Sequence, residues 1–390
     1  MDQSSNSIAA IVPSLPQRPG PAEGASRTRV RFARATPDHA MQEMKARVAT
    51  YFETRRLSSK ANAGMVVKTV LLLALTFVPY GLILTNRFSR WEMLGLAFVM
   101  GVGMAGIGFG IAHDALHGAY SSSPRINAVL GMSFDVLGAS SYLWKITHNI
   151  VHHTYTNIEG VDEDLAVSPL LRLSPNGERF WFHRFQHLYA FALYGFTTLF
   201  WVFVKDYVQL MKSELGPYRD KRHDTAQLAI LFSAKLCYCG YALVVPLLVL
   251  QIPWWQVLIG FFVMHFTAGA ILGIVFQLAH VVESTDYPTP DDAGMMPQEW
   301  WLHEMQTTAN FGPKNRLLSW YVGGLNFQVE HHLFPRVCSV HYPAISAIVS
   351  DVAAQYGLPY NAYPTLRAAV ASHYRTLRQF GSTRPVSSLA

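Results

Sequence analysis

MLGLAFVMGVGMAGIGFGIAHDALH, residues 93–117, decides the fold of this chain. From Met93 to Ala112 it carries no charge for 20 residues, about the length a helix needs to cross the hydrocarbon core of a bilayer. The run is rich in glycine (Gly95, Gly101, Gly103, Gly106, Gly108, Gly110), and small residues let helices approach closely in lipid. It ends directly on His113, four residues before His117. Residues at i and i+4 are neighbours on one helical face, so a single helix can hold two imidazoles to one ion at its membrane end.

Two further clusters repeat the device. Residues 148–153 read HNIVHH, and residues 328–332 read QVEHH. His148 and His152 share the i,i+4 relation. Adjacent pairs, His152 with His153 and His331 with His332, point about 100° apart on a helix, so each member can serve a different metal. With His280, which follows another apolar run, there are eight imidazoles. That exceeds the four ligands of an ordinary zinc site and favours two metals over one zinc with spare histidines. A donor set without cysteine and nearly without carboxylate suits iron, zinc or copper rather than calcium or magnesium.

Composition sets the context. Of 390 residues, 51% are hydrophobic, 13% aromatic and only 14% charged, against about 25% charged in soluble domains. This is the composition of a polytopic membrane protein. The net charge of +6 reads as topological, because cytoplasmic segments collect Lys and Arg, rather than as a nucleic-acid footprint. Cys237, Cys239 and Cys338 give no disulfide framework. The N-terminus has no basic n-region followed by an apolar h-region, so no signal peptide is expected. Residues 1–40 are expected to be a disordered tail, 41–64 an amphipathic segment at the membrane surface, 65–345 the membrane domain with its cytosolic cap, and 346–390 C-terminal cytosolic helices.

Four spans are expected: Met65 to Thr85, Met93 to Ala112, Phe232 to Leu250 and Trp254 to Phe276. Trp254 and Trp255 resemble an interfacial belt. The stretches Ile126 to Trp144 and Leu188 to Val204 are ambiguous. If either crossed alone, the histidine clusters would face opposite sides and could not share a site. Both are therefore read as helices in the interface or under a cap. The fold expected is an all-α polytopic membrane protein: four transmembrane helices in two hairpins, with a cytosolic helical cap holding the metal site. Both termini and the site then lie in the cytoplasm, at a bacterial inner membrane or the endoplasmic reticulum. The basic segment before the first span fits this, since the outer loops hold only Arg87 and Arg90.

The strings HDALH, HNIVHH and QVEHHLFP, in this order around two apolar hairpins, resemble the membrane-bound fatty acid desaturases over roughly residues 65 to 345. The glutamine that opens the third string resembles the front-end, linoleoyl-CoA desaturase-like branch. So do Asn157 and Asp162-Glu163-Asp164 after the second string. The resemblance implies a di-iron centre that uses O2 and two electrons to remove two hydrogens from a long-chain acyl-CoA or acyl-lipid. It implies as ligands His113, His117, His148, His152, His153, His280, His331 and His332. Gln328 stands where many relatives have a further histidine.

Chemistry independent of the resemblance agrees. Breaking an unactivated C–H bond needs a strong oxidant, which non-haem iron with open positions supplies, in a site kept dry. Asp114, Asn149 and Glu330 are candidate acceptors for imidazole N–H groups. His265, His303 and Trp144 are candidate substrate-channel residues. His265 lies 15 residues before His280, roughly 22 Å along a helix, too far to be a ligand. His39, His223, His341 and His373 read as surface residues, and His183 and His187 as residues of the cap. Two other functions are weighed. A di-iron hydroxylase or ketolase of an alkane, sterol or carotenoid would use the same metal chemistry. A metal transporter would need polar groups deep in several spans, where only Lys235 and His265 come close. No His-Pro-Gly-Gly string or cysteine cluster marks a fused electron carrier, so a separate donor is expected: a ferredoxin, or cytochrome b5 with its reductase, docking on the basic face.

Overall fold

The structure, a computed structural model, describes residues 30–33, 39–165, 169–215, 218–219 and 223–382. Most of the tail expected at 1–40 lies outside these. Of its described residues, Val30 to Ala33 dock on the body, where Arg31 N–H donates to the Gly294 carbonyl at 2.8 Å and Met296 N–H to the Arg31 carbonyl at 2.7 Å, and His39 and Ala40 open a helix. Helix α1 (His39–Thr54) buries Ala40, Met41, Met44 and Val48. Its apolar face was expected to meet lipid. Instead it is covered by protein, among Phe327, Ile345, Val349 and Val352. Amphipathicity fixes that one face must be covered, not by what. Each such fully buried side chain contributes about 1.5–3 kcal/mol.

Among the described residues, four helices are long and apolar enough to cross a membrane. They are α2 (Ala63–Leu84), α3 (Arg90–Leu116), and, further along, Thr225–Val249 and Trp254–His280. Asn62 caps α2 by accepting from the Met65 N–H, and Ser89 with Glu92 forms a capping box on α3. Apolar burial drives little in lipid, so close contact must hold the helices together. A methyl group on Gly101 would overlap the Met264 carbonyl, and one on Gly103 would overlap Thr76. The outer loops are tied by one residue. Asn86, in the left-handed conformation at φ 57, donates to the Val249 carbonyl at 3.0 Å and accepts from the Gln251 N–H at 2.8 Å. The two hairpins therefore turn on the same side.

Beyond α3, the stretch Ile126 to Trp144 breaks into short helices at Pro124–Gly131, Ser133–Val136 and Ser141–Trp144. The last opens α4, residues 141–155, whose centre, Lys145–His152, winds as a π-helix. Leu188 to Val204 falls on α5 (Gln186–Tyr194) and α6 (Thr197–Met211). The α5 segment and α6 meet at a bend of 74°; counted as one broken span, the pair would make five. It reaches deeper than an interfacial helix. Thr198 donates to the carbonyl of mid-span His265 at 2.8 Å, and a side chain on Gly269 or Gly273 would strike Tyr194 or Gly195. The third and fourth spans are α7 (Thr225–Val249) and α8 (Trp254–His280). Further helices among the described residues include α9 (Trp300–Thr307), α10 (Gln328–Leu333), α11 (Tyr342–Tyr356) and α12 (Leu366–Gly381), which build the cap, and a short turn at Arg316–Tyr321. Gly357, at φ 63, ends α11 where the Gly-Leu-Pro break was expected.

Not every histidine read as superficial is so. His373 is fully buried: its Nδ1 donates to the Val281 carbonyl at 2.7 Å and its Nε2 accepts from the Tyr194 hydroxyl at 2.8 Å. His341 is also buried and donates to the Lys60 carbonyl. His223 bridges Tyr142 and the Leu210 carbonyl. Sequence alone does not show that cap helices pack over these faces.

Candidate metal centre and its apolar cavity

Four elements deliver the imidazoles. The end of α3 carries His113 and His117, with ring centres 4.7 Å apart. The π-turn of α4 carries His148 and His152, 5.0 Å apart, and His153 follows. Such turns are rare and recur at functional sites. The last residue of α8 is His280, and α10 carries His331 and His332. The structure sorts them into sets whose donor atoms lie within 4.8 Å of one another: His113, His117, His148 and His331 in one, and His152, His280 and His332 in another. His153 joins a third grouping with His331 and His332, its ring 4.2 Å from His332. The adjacent pair His331 and His332 thus reaches both sets, as the 100° helical offset allows, while sharing the third grouping with His153.

Hydrogen bonds fix how these rings face. The Nδ1 atoms of His148, His152 and His332 meet the carboxylates of Asp164 at 3.0 Å, Asp162 at 3.0 Å and Glu304 at 2.6 Å. His280 Nδ1 donates to the Thr307 carbonyl at 3.3 Å, and His331 Nδ1 meets the Tyr342 hydroxyl at 3.2 Å. Asp162, Asp164 and the Thr307 carbonyl only accept, so in His152, His148 and His280 Nδ1 carries the proton and Nε2 presents a lone pair. All five Nε2 atoms are buried with no hydrogen-bond partner, as are His117 Nε2, His113 Nδ1 and both nitrogens of His153. Buried polar atoms are normally satisfied. So many orphaned lone pairs converging on one place fit metal ions, with the outer hydrogen bonds setting ring orientation. Burial, then the neighbouring imidazoles, hold His117, His148, His153, His331 and His332 well below the usual histidine range, in the neutral form that coordinates. For His152, burial opposes charge but the Asp162 carboxylate outweighs it and raises the pKa. Asp162, Asp164 and Glu304 stand behind these rings, and burial pushes the Glu304 carboxyl well above the usual carboxylate range.

The acceptors named from sequence are elsewhere engaged. Asp114 accepts from the Ser339 N–H at 3.1 Å, the Ser339 hydroxyl at 2.8 Å and the Cys338 thiol; it anchors the loop after α10. Asn149 donates to the Leu116 carbonyl at 2.9 Å. Glu330 accepts from Asn310 and Tyr360 at 2.8 Å each. Asn149 and Glu330 bond elsewhere because helical neighbours of a ligand point to other sides, whereas the second Asp114 oxygen lies 3.8 Å from His113 Nδ1. The residues that do back the rings were missed or left without a role. Asp162 and Asp164 follow the second cluster closely, a signal that could have named them. Glu304 and Tyr342 reach the site only through the tertiary fold. Asn157, left-handed at φ 60, donates to the His280 carbonyl at 3.0 Å and its own N–H to Asp162 at 3.0 Å, binding α4 to the end of α8.

Beside the first set lies a cavity of about 260 Å³. Its wall includes His113, His148 and His331, with Gln328, Phe276 and Trp144. Trp144 stacks on His148 at 4.3 Å, so the channel expectation suits its position. Gln328 donates to the Leu325 carbonyl at 2.8 Å. Asp164 and Lys205, paired at 3.0 Å, line the same cavity. His303 and His265 do not line it. His303 is buried against Phe32, behind the ligands. His265 is a buried mid-span residue bonded to Thr198 and to the Tyr238 hydroxyl.

Apolar helices of spanning length that end on buried histidine groups able to hold metal, beside an apolar cavity, are the marks of a multi-pass membrane protein. The sequence profile of the fatty acid desaturase family matches residues 89–364, and the chain belongs to that family. It is 40% identical over 337 residues to the sn-1 linoleoyl-lipid 6-desaturase of Synechocystis, covering 86% of this chain and 93% of that protein. It is 34% identical to the protein of the same name from Arthrospira platensis, over 87% and 91% of the two chains. It is 33% identical to the acyl-lipid (8-3)-desaturase of Physcomitrium patens, over 90% and 75%. The protein is an oxidoreductase, a fatty acyl desaturase.

Proposed function

We propose that the protein inserts a double bond into a lipid-linked acyl chain, between an existing double bond and the carboxyl end. The observation that carries this is the apolar cavity walled on one side by His113, His148 and His331. The names of its relatives, linoleoyl-lipid and acyl-lipid desaturases, support a lipid-linked substrate and the front-end position. The eight imidazoles would hold two irons, which with O2 and two electrons supply the oxidant for an unactivated C–H bond. The chain's own residues orient the substrate. Trp144 and Phe276 press on an extended acyl chain, and the dry walls keep water from the reacting carbons. Lys205, at the edge of the cavity, meets the polar end. A separate ferredoxin or cytochrome b5 supplies the electrons.

Cells expressing the protein and fed linoleate are expected to accumulate an acid with a new bond on the carboxyl side, located by mass spectrometry of a derivative. A bond only on the methyl side, or a hydroxylated product, rejects the reading.

We further place both termini and the metal centre in the cytoplasm. Reporter fusions after Ser123, after Asp206 and at Ala390 are expected to report cytoplasm, and a fusion at Arg90 the opposite side. A non-cytoplasmic signal after Asp206 would mean that the bent α5–α6 pair completes a crossing.

A further inference from the structure

A second apolar cavity, about 240 Å³, lies among α2, α3, α7 and α8, towards the outer loops; Met93, Pro246 and Trp255 are in its wall. Between it and the histidine cavity is a void of only about 20 Å³. Gly108, Phe134, Trp201 and Leu272 line both the void and the histidine cavity. Met104 and Leu137 line both the void and the outer cavity. The three spaces therefore run in series along α3, from His113 outward, with the narrowest point at the middle.

The distance suits an acyl chain. Met104 is nine residues from His113, roughly 14 Å at 1.5 Å per residue. The hydrocarbon core is about 30 Å thick, so a lipid chain spans roughly half of that. A chain whose reacting carbons sit beside the histidines brings its methyl end close to Met104 and Leu137.

The narrow point is also rigidly framed. Lys235, buried in α7, pairs with Asp206 at 2.7 Å and donates to the carbonyls of Gly138 at 2.9 Å and Val202 at 2.7 Å. The other Asp206 oxygen accepts from the Trp201 indole N–H at 3.0 Å. Gly138 sits at φ 87 with the Tyr238 ring against it, where a Cβ would come within 2.7 Å. Leu137, Trp201 and Val202 are walls of the void. One ion pair inside the protein thus fixes three of its sides.

We propose that Met104 and Leu137 determine specificity by setting how long a methyl-terminal segment the substrate can carry past the histidines. The Lys235–Asp206 pair acts as the positioning frame of this stop, and the outer cavity receives chains that pass it. This rests on the reading that the acyl chain occupies the histidine cavity. The test feeds cells a homologous series of acyl substrates in two-carbon steps and reads, within each variant, the ratio of product from longer to shorter chains. In the unmodified protein the ratio is expected to fall sharply beyond one length. Met104→Ala and Leu137→Ala are expected to move that limit outward by at least two carbons, raising the ratio about tenfold. Gly108→Ala, whose new methyl would lie 3.3 Å from Leu272, is expected to move it inward. Lys235→Met is expected to flatten the profile, which a loss of stability alone would not do. If the unmodified protein desaturates none of the series, the proposed function fails. If it desaturates them without a length limit, or if active variants keep the unmodified profile, only the present inference is overturned.

Discussion

His117→Ala, His152→Ala and His332→Ala are each expected to reduce desaturation to background while the protein still inserts into the membrane. These imidazoles present buried Nε2 atoms that no protein group satisfies, so their removal would take a donor from a bound ion; for His152 and His332 it also removes the Nδ1 contact to Asp162 and Glu304. The outer carboxylates should behave differently. Asp162→Asn and Glu304→Gln keep shape but lose the carboxyl group behind His152 and His332, and partners of this kind are typically worth 10–100-fold in metal affinity or activity, so a loss of about that size is expected. Elemental analysis of purified protein, beside lipid analysis of expressing cells, separates the two classes: two irons per chain in the unmodified protein, fewer in the histidine variants. One zinc and no iron, or full activity in all three alanine variants, would overturn the di-iron proposal.

The second large effect is on stability. Asp206 is fully buried and Lys235 nearly so, and their pair joins α6 to α7. Removing one partner strands a charge in a low-dielectric interior, a loss of about 3–5 kcal/mol. Lys235→Met or Asp206→Leu alone should therefore melt well below the unmodified protein in detergent. The double variant should recover much of the loss, because neither charge is then left unpaired. Additive losses in the double variant, or single variants as stable as the original, would show that the two residues do not act as a pair.

The Lys235–Asp206 pair also shows how sequence and structure divide the account. Lysine within an apolar run is visible at once as a polar group in a span. Its partner, 29 residues away, is not. The same holds at the metal centre. The histidine spacings placed His113 with His117 and His148 with His152, because helical periodicity is local. That His331 and His332 reach different sets followed from the same geometry. Asn149 and Glu330 were plausible by proximity in the chain, yet adjacency in sequence turns a helical side chain away from its neighbour's target; Asp114, bonded to Ser339 and Cys338, keeps one oxygen 3.8 Å from His113 Nδ1.

Charge deficit, four apolar runs of spanning length and eight clustered histidines were enough to determine a polytopic helical bundle with a metal site at one end. These are properties of composition and of short-range period, which any fold of the chain must satisfy. Only the tertiary structure decided that Asp162, Asp164 and Glu304 stand behind the imidazoles, that α5 and α6 bend into the bundle, and that α1 rests on the cap rather than on lipid. Each of these depends on which distant surface covers a given face, and a one-dimensional pattern records that a face is apolar or a side chain polar without recording its partner.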